Sequence, residues 1–276
     1  MMDQSVRTRI WADLRKRKLE FLASDKGEFR HNTSFVSVSS LAEQFYCEYK
    51  VENEFRLGEI STEAKELGTA LHDELVPTEE IGPEEFVRLV SRREPSYAVL
   101  RVWGNVAGLR IVGMPDHIVW ADGRPLWLVE LKTTRGDPAA LWQDQENQAR
   151  IYGLLLDLMG LDCSELRIAL VRIRAEQLSE EEKRVWIRNV SVALQSGKVG
   201  DLEKRLEGRM KVHMLAHDRR AAVGAVASKS DYWLGKREPT SSTSAGKCRA
   251  CEYVDLCPKS LAGAPQLPGR ERSDYA

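Results

Sequence analysis

The sequence predicts an α/β protein with a mixed central sheet and helices on its faces. Three observations carry that prediction. Helical and strand-like periodicities fall in blocks, in the order helices, three strands, helix, strand, helices. The pair Asp122-Gly123 joins two apolar runs and suits a tight hairpin, because both residues accept positive φ. The strand–helix–strand unit from Leu126 to Arg174 requires a parallel pair with a right-handed crossover.

Taken in order, residues 4–23 carry Val6, Ile10, Leu14 and Leu19 or Phe21 at helical spacing. Ser39-Ser40 caps a second helix that carries Leu41, Phe45, Cys47 and Tyr49. Ser61 is the next N-cap, with Glu63 in the first turn, and that helix ends before Pro77. Pro83 opens another short helix. The period then changes: residues 96–120 are rich in β-branched and aromatic side chains and read as two strands, the second ending near Trp120. The turn at 121–124 leads into a returning strand over 125–134. A long helix runs from Pro138 to Gly160, followed by a buried strand over 166–174. Residues 179–233 read as mostly helical and highly charged, with no obvious site, and the tail after Pro258 reads as frayed.

At 276 residues the chain suffices for one substantial domain, alone or with a helical appendage. Hydrophobic residues make up 42% and charged residues 30%, which excludes wholesale disorder. No apolar run approaches the roughly 20 residues that span a bilayer. The N-terminus mixes charges without an apolar core, so neither a membrane partner nor a secretory leader is expected, and the expected location is cytoplasmic. A net charge of -1 does not mark a nucleic-acid binder, and the basic runs Arg15–Lys18, Arg92-Arg93 and Arg219-Arg220 read as solvated helix faces.

Chemistry-bearing residues concentrate in two places. The first is the hairpin. Asp116 sits near the end of one strand, and Glu130 and Lys132 share a face of the returning strand while Leu131 points the other way. The surrounding sequence is apolar, and charges there need a reason, because burying them unpaired is costly. Two readings fit: a Glu130–Lys132 ion pair on an edge, or a hard-cation site. In the second, Asp116 and Glu130 supply oxygen ligands to Mg²⁺ or Mn²⁺. The metal then activates water, and Lys132 orients that water or stabilises the developing charge.

Gly113-Met114-Pro115-Asp116 followed by Glu130-Leu131-Lys132 resembles the PD-(D/E)XK nuclease signature. Gly68-Thr69-Ala70-Leu71-His72 resembles the G-x-x-x-H motif of the RecB-like branch, and Gln148-Ala149-Arg150-Ile151-Tyr152 resembles its Q-x-x-x-Y motif. The resemblance implies a restriction-endonuclease-like sheet. It makes His72 a further metal ligand beside Asp116 and Glu130, with the Leu131 carbonyl as a possible fourth. Gln148 and Tyr152, four apart on one helix face, then meet the substrate backbone or hold Lys132. His117 follows Asp116 directly and is expected on the opposite face. No G-x-S-x-G supports serine hydrolysis.

The second place is Cys248-x-x-Cys251-x5-Cys257. With Cys47 it makes four thiols, a set that suits tetrahedral zinc or an iron–sulfur cluster. One cysteine before the core and three after it resembles the iron–sulfur RecB-like nucleases, among them the CRISPR-associated Cas exonucleases and AddB-type recombination nucleases. That resemblance implies a 4Fe–4S cluster on Cys47, Cys248, Cys251 and Cys257, in a helical subdomain that pins the ends of the core together. Cys163 falls outside the pattern and is expected to be a small buried residue.

The implied division is an N-terminal helical extension (1–36), a cluster subdomain (37–60 with 236–260), a nuclease core (61–178), a helical insertion (179–235) and a flexible tail (261–276). The implied activity is metal-dependent DNA exonuclease action, chiefly on single-stranded or frayed ends, in CRISPR spacer acquisition or DNA repair. The alternative is a catalytically weak module that binds DNA ends and assembles with an integrase or helicase. A zinc-stabilised enzyme directed at RNA is a third reading. No G-x-x-x-x-G-K-[ST] is present, so the chain carries no helicase motif of its own. Ring-forming relatives imply a possible homo-oligomer.

Overall fold

The computed structural model describes residues 4–24, 27–75, 86–88, 92, 95–97 and 99–263. Helix α1 spans Gln4–Ala23, β1 Val36–Ser37, α2 Val38–Tyr46, α3 Glu48–Leu57 and α4 Glu63–Leu75. Four strands follow: β2 (Ser96–Tyr97), β3 (Val102–Val106), β4 (Leu109–Gly113) and β5 (His117–Ala121). Then come β6 (Arg124–Thr133), α5 (Gln143–Leu158), β7 (Arg167–Ile173), α6 (Glu180–Ser196), α7 (Val199–Arg205), β8 (Met210–Ala216), α8 (Arg219–Trp233) and α9 (Ala245–Arg249).

The main sheet has the order β2-β5-β6-β7-β8, and a smaller one has the order β1-β4-β3. The main sheet is mixed, as the sequence predicts. β6 and β7 are parallel and joined through α5, while β5·β6 and β7·β8 are antiparallel. Strands β6 and β7 are buried on both faces, which explains their nearly unbroken apolar sequence. Strand alternation divides their side chains between two layers. Ile118, Leu128, Ile168 and Leu170 pack with α2, α5 and α8, whereas Val119, Val129, Leu131, Val171 and Ile173 pack with α4, α6 and α7. At the hairpin, Asp122 (φ 50°) and Gly123 (φ 76°) are both left-handed, as the sequence predicts.

Several elements differ from expectation. Residues 96–120 form four strands rather than two. Ala107 (φ 48°) and Gly108 (φ 80°) make a second tight hairpin between β3 and β4. Pro115 then separates β4 from β5, which join different sheets. The segment expected to be all helical contains β8, which pairs with β7 along its length and buries Met210 and Val212. Helix α5 begins at Gln143 rather than Pro138, because the intervening residues are tied elsewhere. The Asp137 carboxylate accepts from the Ala139 N–H at 2.9 Å, the Pro138 carbonyl contacts His213 Nε2 at 3.1 Å, and the Ala140 carbonyl accepts from Arg172. Ser37, not Ser39-Ser40, caps α2, and Cys47 lies at the break between α2 and α3 rather than inside one helix. Thr62, not Ser61, receives the Lys65 N–H at the start of α4. Phe86–Arg88 are helical, while the rest of the helix expected from Pro83, and the tail from residue 264, lie outside the described residues. Among the described residues, no helix is long and apolar enough to cross a membrane.

Early and late segments are joined through Glu48, which is 1% exposed. Its carboxylate accepts from Arg237 Nη1 and Nη2 at 2.5 and 2.6 Å, and from the Thr240 N–H and hydroxyl at 2.8 Å each. Lys229 adds an ion pair at 3.4 Å. Arg30 donates to the carbonyls of Tyr232 and Arg237 at 3.0 and 2.6 Å, so the same late segment is tied to a second early one. Burial alone would raise the Glu48 pKa, but Arg237 and Thr240 outweigh it and hold the carboxyl at about 2. A lowered folded-state value means that this contribution to stability is present above the unfolded value of 4.5 and is lost as pH falls through about 2. Glu48→Ala is therefore expected to cost about 3–5 kcal/mol at neutral pH, since it strands Arg237 and Lys229. In urea unfolding, the gap between wild type and variant narrows as pH is lowered through that window; a gap independent of pH refutes the assignment.

Candidate active site and cysteine pocket

The turn between β4 and β5 brings Asp116 level with Glu130, since His117 pairs with Val129 one step further on. The Leu131 N–H donates to Asp116 Oδ2 at 2.7 Å, which fixes the carboxylate against β6. Asp116 Oδ1 faces His72 Nε2 at 3.0 Å. That hydrogen bond raises the His72 pKa against the opposing effect of burial, with the Asp116 charge adding to it. A Cβ on Gly68 would lie 3.4 Å from Thr133 Oγ1, an ordinary contact, so α4 approaches β6 at Gly68 and presents His72 one turn later.

Glu130 is 1% exposed, and its Oε1 pairs with Lys132 Nζ at 2.9 Å. Its Oε2 is buried and has no partner. Burial, followed by the charge of Asp116, raises the Glu130 pKa, while Lys132 opposes the shift. Burial lowers the Lys132 pKa, but Glu130 and Asp116 outweigh it and hold the ammonium above its ordinary value. Of the two readings left open by the sequence, the edge placement does not hold, because Glu130 lies buried on the central strand β6. The ion pair exists, yet it lies inside the protein and leaves one carboxylate oxygen unsatisfied, an arrangement that a hard cation would complete. As the side chains stand, His72 bonds Asp116 and Glu130 bonds Lys132, and among the described residues no three acidic, histidine or cysteine side chains converge as a ready metal cage.

Gln148 Nε2 approaches Tyr152 Oη at 3.5 Å, the limit of a hydrogen bond. Tyr152 is buried, and burial, followed by the Glu130 and Asp116 charges, raises its pKa. Its ring occupies space that Gly113 vacates: a Cβ there would lie 2.6 Å from Tyr152 Cε1 and 2.7 Å from Val38 Cγ2. The first residue of the Gly113–Asp116 motif is thus a seat for the last residue of the Gln148–Tyr152 motif. His117 points away, as expected, and contacts Ser191 at 3.2 Å, and burial lowers its pKa to about 4.

Sequence reasoning missed two residues here. Arg172 lies opposite Lys132 on β7, buried against the Trp142 ring at 4.9 Å, and holds Thr134 Oγ1 at 3.2 Å. Asp144 stands one helical turn before Gln148 on α5, and burial raises its pKa against a backbone hydrogen bond that lowers it. Extending the Gln148–Tyr152 stripe back by four residues would have identified it.

All four pattern cysteines line one pocket: Cys47, Cys248, Cys251 and Cys257, with Tyr46, Lys50, Lys247 and Lys259 among the surrounding side chains. None is in a disulfide, and the Ser242 N–H donates to Cys47 Sγ at 3.3 Å. Among the described residues, no three acidic, histidine or cysteine side chains stand as a ready metal cage, the four thiols included. Cys163 is buried in the core instead, where burial raises its thiol pKa to about 12.

A family model described as the PD-(D/E)XK nuclease superfamily matches residues 74–258. No curated protein matches the chain. Among solved structures, that of SSO0001 is 18% identical, with 90% of this chain and 96% of the other covered and a TM-score of 0.46. A protein from Eubacterium rectale, named "Putative exonuclease", is 12% identical, with 80% and 87% covered and a TM-score of 0.44.

The seat formed by Gly113 yields an expectation about packing. Gly113→Ala forces Tyr152 and Val38 apart and should lower stability by about 1–3 kcal/mol. Gly200→Ala is the control: its added Cβ meets open space within a helix, so it should be neutral or stabilising by at most about 1 kcal/mol. Equal thermal midpoints for the two variants would refute the role given to Gly113.

Proposed function

The chain belongs to the PD-(D/E)XK nuclease superfamily, and from that premise we propose that it is a DNA exonuclease acting on single-stranded or frayed ends. The observation that carries this reading is the interior carboxylate Glu130, bonded to Lys132 on one oxygen and unsatisfied on the other, beside the Asp116–His72 pair. His72, Asp116, Glu130 and the Leu131 carbonyl would hold Mg²⁺ or Mn²⁺. When bound, such an ion acts as a Lewis acid on the phosphodiester and lowers the pKa of water.

The chain's own groups have separable tasks. Lys132, anchored by Glu130, presents a fixed cation where a water attacks phosphorus and negative charge develops. The products are a phosphate monoester and a hydroxyl at the broken P–O bond. The Leu131 N–H keeps Asp116 from rotating away. Tyr152 and Gln148 close the α5 side of the site and restrain Lys132 or the substrate backbone.

Cys47, Cys248, Cys251 and Cys257 would hold a 4Fe–4S cluster, with zinc as the competing occupant of the same thiols. Joining residue 47 to residues 248–257 closes a long loop and stabilises the folded chain through the unfolded state. The setting proposed is cytoplasmic DNA-end processing, in CRISPR spacer acquisition or in repair, beside an integrase or helicase and as a homo-oligomer.

Anaerobic purification with iron analysis, followed by a Mn²⁺-dependent assay on end-labelled single-stranded DNA, tests both parts. A brown, iron-containing protein is expected, whose cleavage falls by about 10²-fold or more in both Glu130→Ala and Lys132→Ala. A colourless zinc protein that cuts removes the cluster and leaves the nuclease. End binding without cleavage under any divalent metal removes the enzyme in favour of an assembly module.

A further inference from the structure

A cleft of about 210 Å³ opens between α4 and the segment that follows β6. Among the described residues, Leu67, Leu71 and Ala175 form its apolar wall. Leu71 and Ala175 belong to the core layer that packs with α4. Thr133, Thr134 and Arg135 line the opposite side, and Arg135 Nε lies 3.4 Å from Glu176 Oε2. Both flanks continue the nuclease motifs. Thr133 directly follows Lys132, and Gly68, which also lines the cleft, opens the run that ends at His72. Thr133 stands three residues beyond Glu130, about 10 Å along the strand.

Three features mark the cleft as a ligand site rather than a gap in packing. The first is size. An apolar cavity of roughly 150 Å³ admits benzene, so this one has room for a flat six-membered ring and its polar edge. The second is an anchored hydroxyl. Thr134 Oγ1 accepts from Arg172 Nη2 at 3.2 Å and from the Gly136 N–H at 3.0 Å, which leaves its own proton to donate to a ligand. Arg172 is buried, so that hydroxyl is held from within the sheet. The third is an available ion pair. The Arg135 and Glu176 side chains are 58% and 37% exposed, so their pairing is weak and both can turn to a new partner. Apolar walls with a few convergent polar groups suit a nucleobase, which has apolar faces and a hydrogen-bonding edge.

We propose that this cleft is a subsite for one nucleobase of the DNA strand, taken from the nucleotide beside the scissile phosphodiester. With that phosphodiester at Glu130 and Lys132, the distance to the cleft is a span that one sugar and its base cover. The faces of the base lie against Leu67, Leu71 and Ala175, and its edge meets the Thr134 hydroxyl, the Arg135 guanidinium and the Glu176 carboxylate. A base enters such a site only when it is unpaired and unstacked. The subsite therefore selects single-stranded or frayed ends by shape and needs no strand-separating activity. The inference rests on the reading of Glu130 and Lys132 as the catalytic pair.

The test uses the full chain and end-labelled single-stranded oligonucleotides in which one abasic nucleotide is moved stepwise inward from the end. Wild type and Leu67→Trp, whose indole fills the cleft, are assayed with Mn²⁺, and Kd for the same strands is read by fluorescence anisotropy with Ca²⁺ in place of Mn²⁺. For wild type, the product ladder should stall where the missing base falls beside the bond to be cut. At that position kcat/KM should fall by about ten-fold, mostly through KM, with a matching rise in Kd. In Leu67→Trp the intact strand should be cut about ten-fold less efficiently, and the abasic strand no more than about two-fold worse than the intact one, because the base and the indole compete for one space. If Leu67→Trp does not fold, Arg135→Ala, at an exposed position, carries the comparison, and its abasic penalty should shrink to about three-fold or less. Equal kcat/KM and Kd for abasic and intact strands in wild type, or an undiminished penalty in the variant, overturns the subsite and leaves the nuclease standing. Cleavage that survives Glu130→Ala overturns the nuclease reading, while the Kd values still decide whether the cleft takes a base.

Discussion

Glu130 is buried in the middle of the sheet with one oxygen spoken for and the other left without a donor. Placing an ionised group in that position is expensive, and folding tolerates it only if the surroundings are fixed tightly enough to hold compensating charge nearby. The neighbouring elements satisfy that demand. The β5·β6 register places Asp116 alongside, a peptide N–H pins it, and Gly113 leaves the space that the Tyr152 ring fills. The apolar strands on either side of Glu130 serve this purpose too. They limit the access of water to Glu130, so the charges beside it are screened less than they would be at the surface.

A second constraint works at longer range. Glu48, at the start of α3, gathers Arg237, Thr240 and Lys229 from nearly two hundred residues away. Cys47 immediately precedes it, and so the latch that joins early and late segments also brings the first thiol into the pocket of the other three. Gln44, one turn earlier on α2, accepts from Trp233 Nε1 at 2.7 Å and extends the same seam into the core. The gathering of the thiols is thus a property of polypeptide contacts on which a bound metal would build.

The parts of this architecture that were legible in the sequence are those decided locally. The Asp122-Gly123 turn, the apolar runs of β6 and β7, and the facing of Glu130 and Lys132 follow from turn chemistry and strand alternation within a few residues. Two of the three motifs were legible as a fixed spacing on one helix, and the third as short runs at the two arms of one hairpin. What escaped was decided by distant partners. Residues 138–142 have the composition of a helix start, but His213 and Arg172 claim their carbonyls. Strand β8 alternates Met210, Lys211, Val212 and His213, a strand period diluted by its charged neighbours.

The break at Cys47 between α2 and α3 bears on how the chain is made. Its three companions in the pocket begin at residue 248, so 200 residues must follow Cys47 before the next of them appears. At translation rates of roughly 5–20 residues per second that interval is about 10–40 s. Throughout it Cys47 emerges as a solitary thiol with no partner to share a ligand, and every strand of both sheets is synthesised before the first close cysteine pair. The thiol pocket is consequently a late event on the ribosome. A chain arrested just before residue 248 has the carboxylates of the hairpin and the partners of Gln44 and Glu48 at residues 229–240, but no means of assembling the thiol pocket.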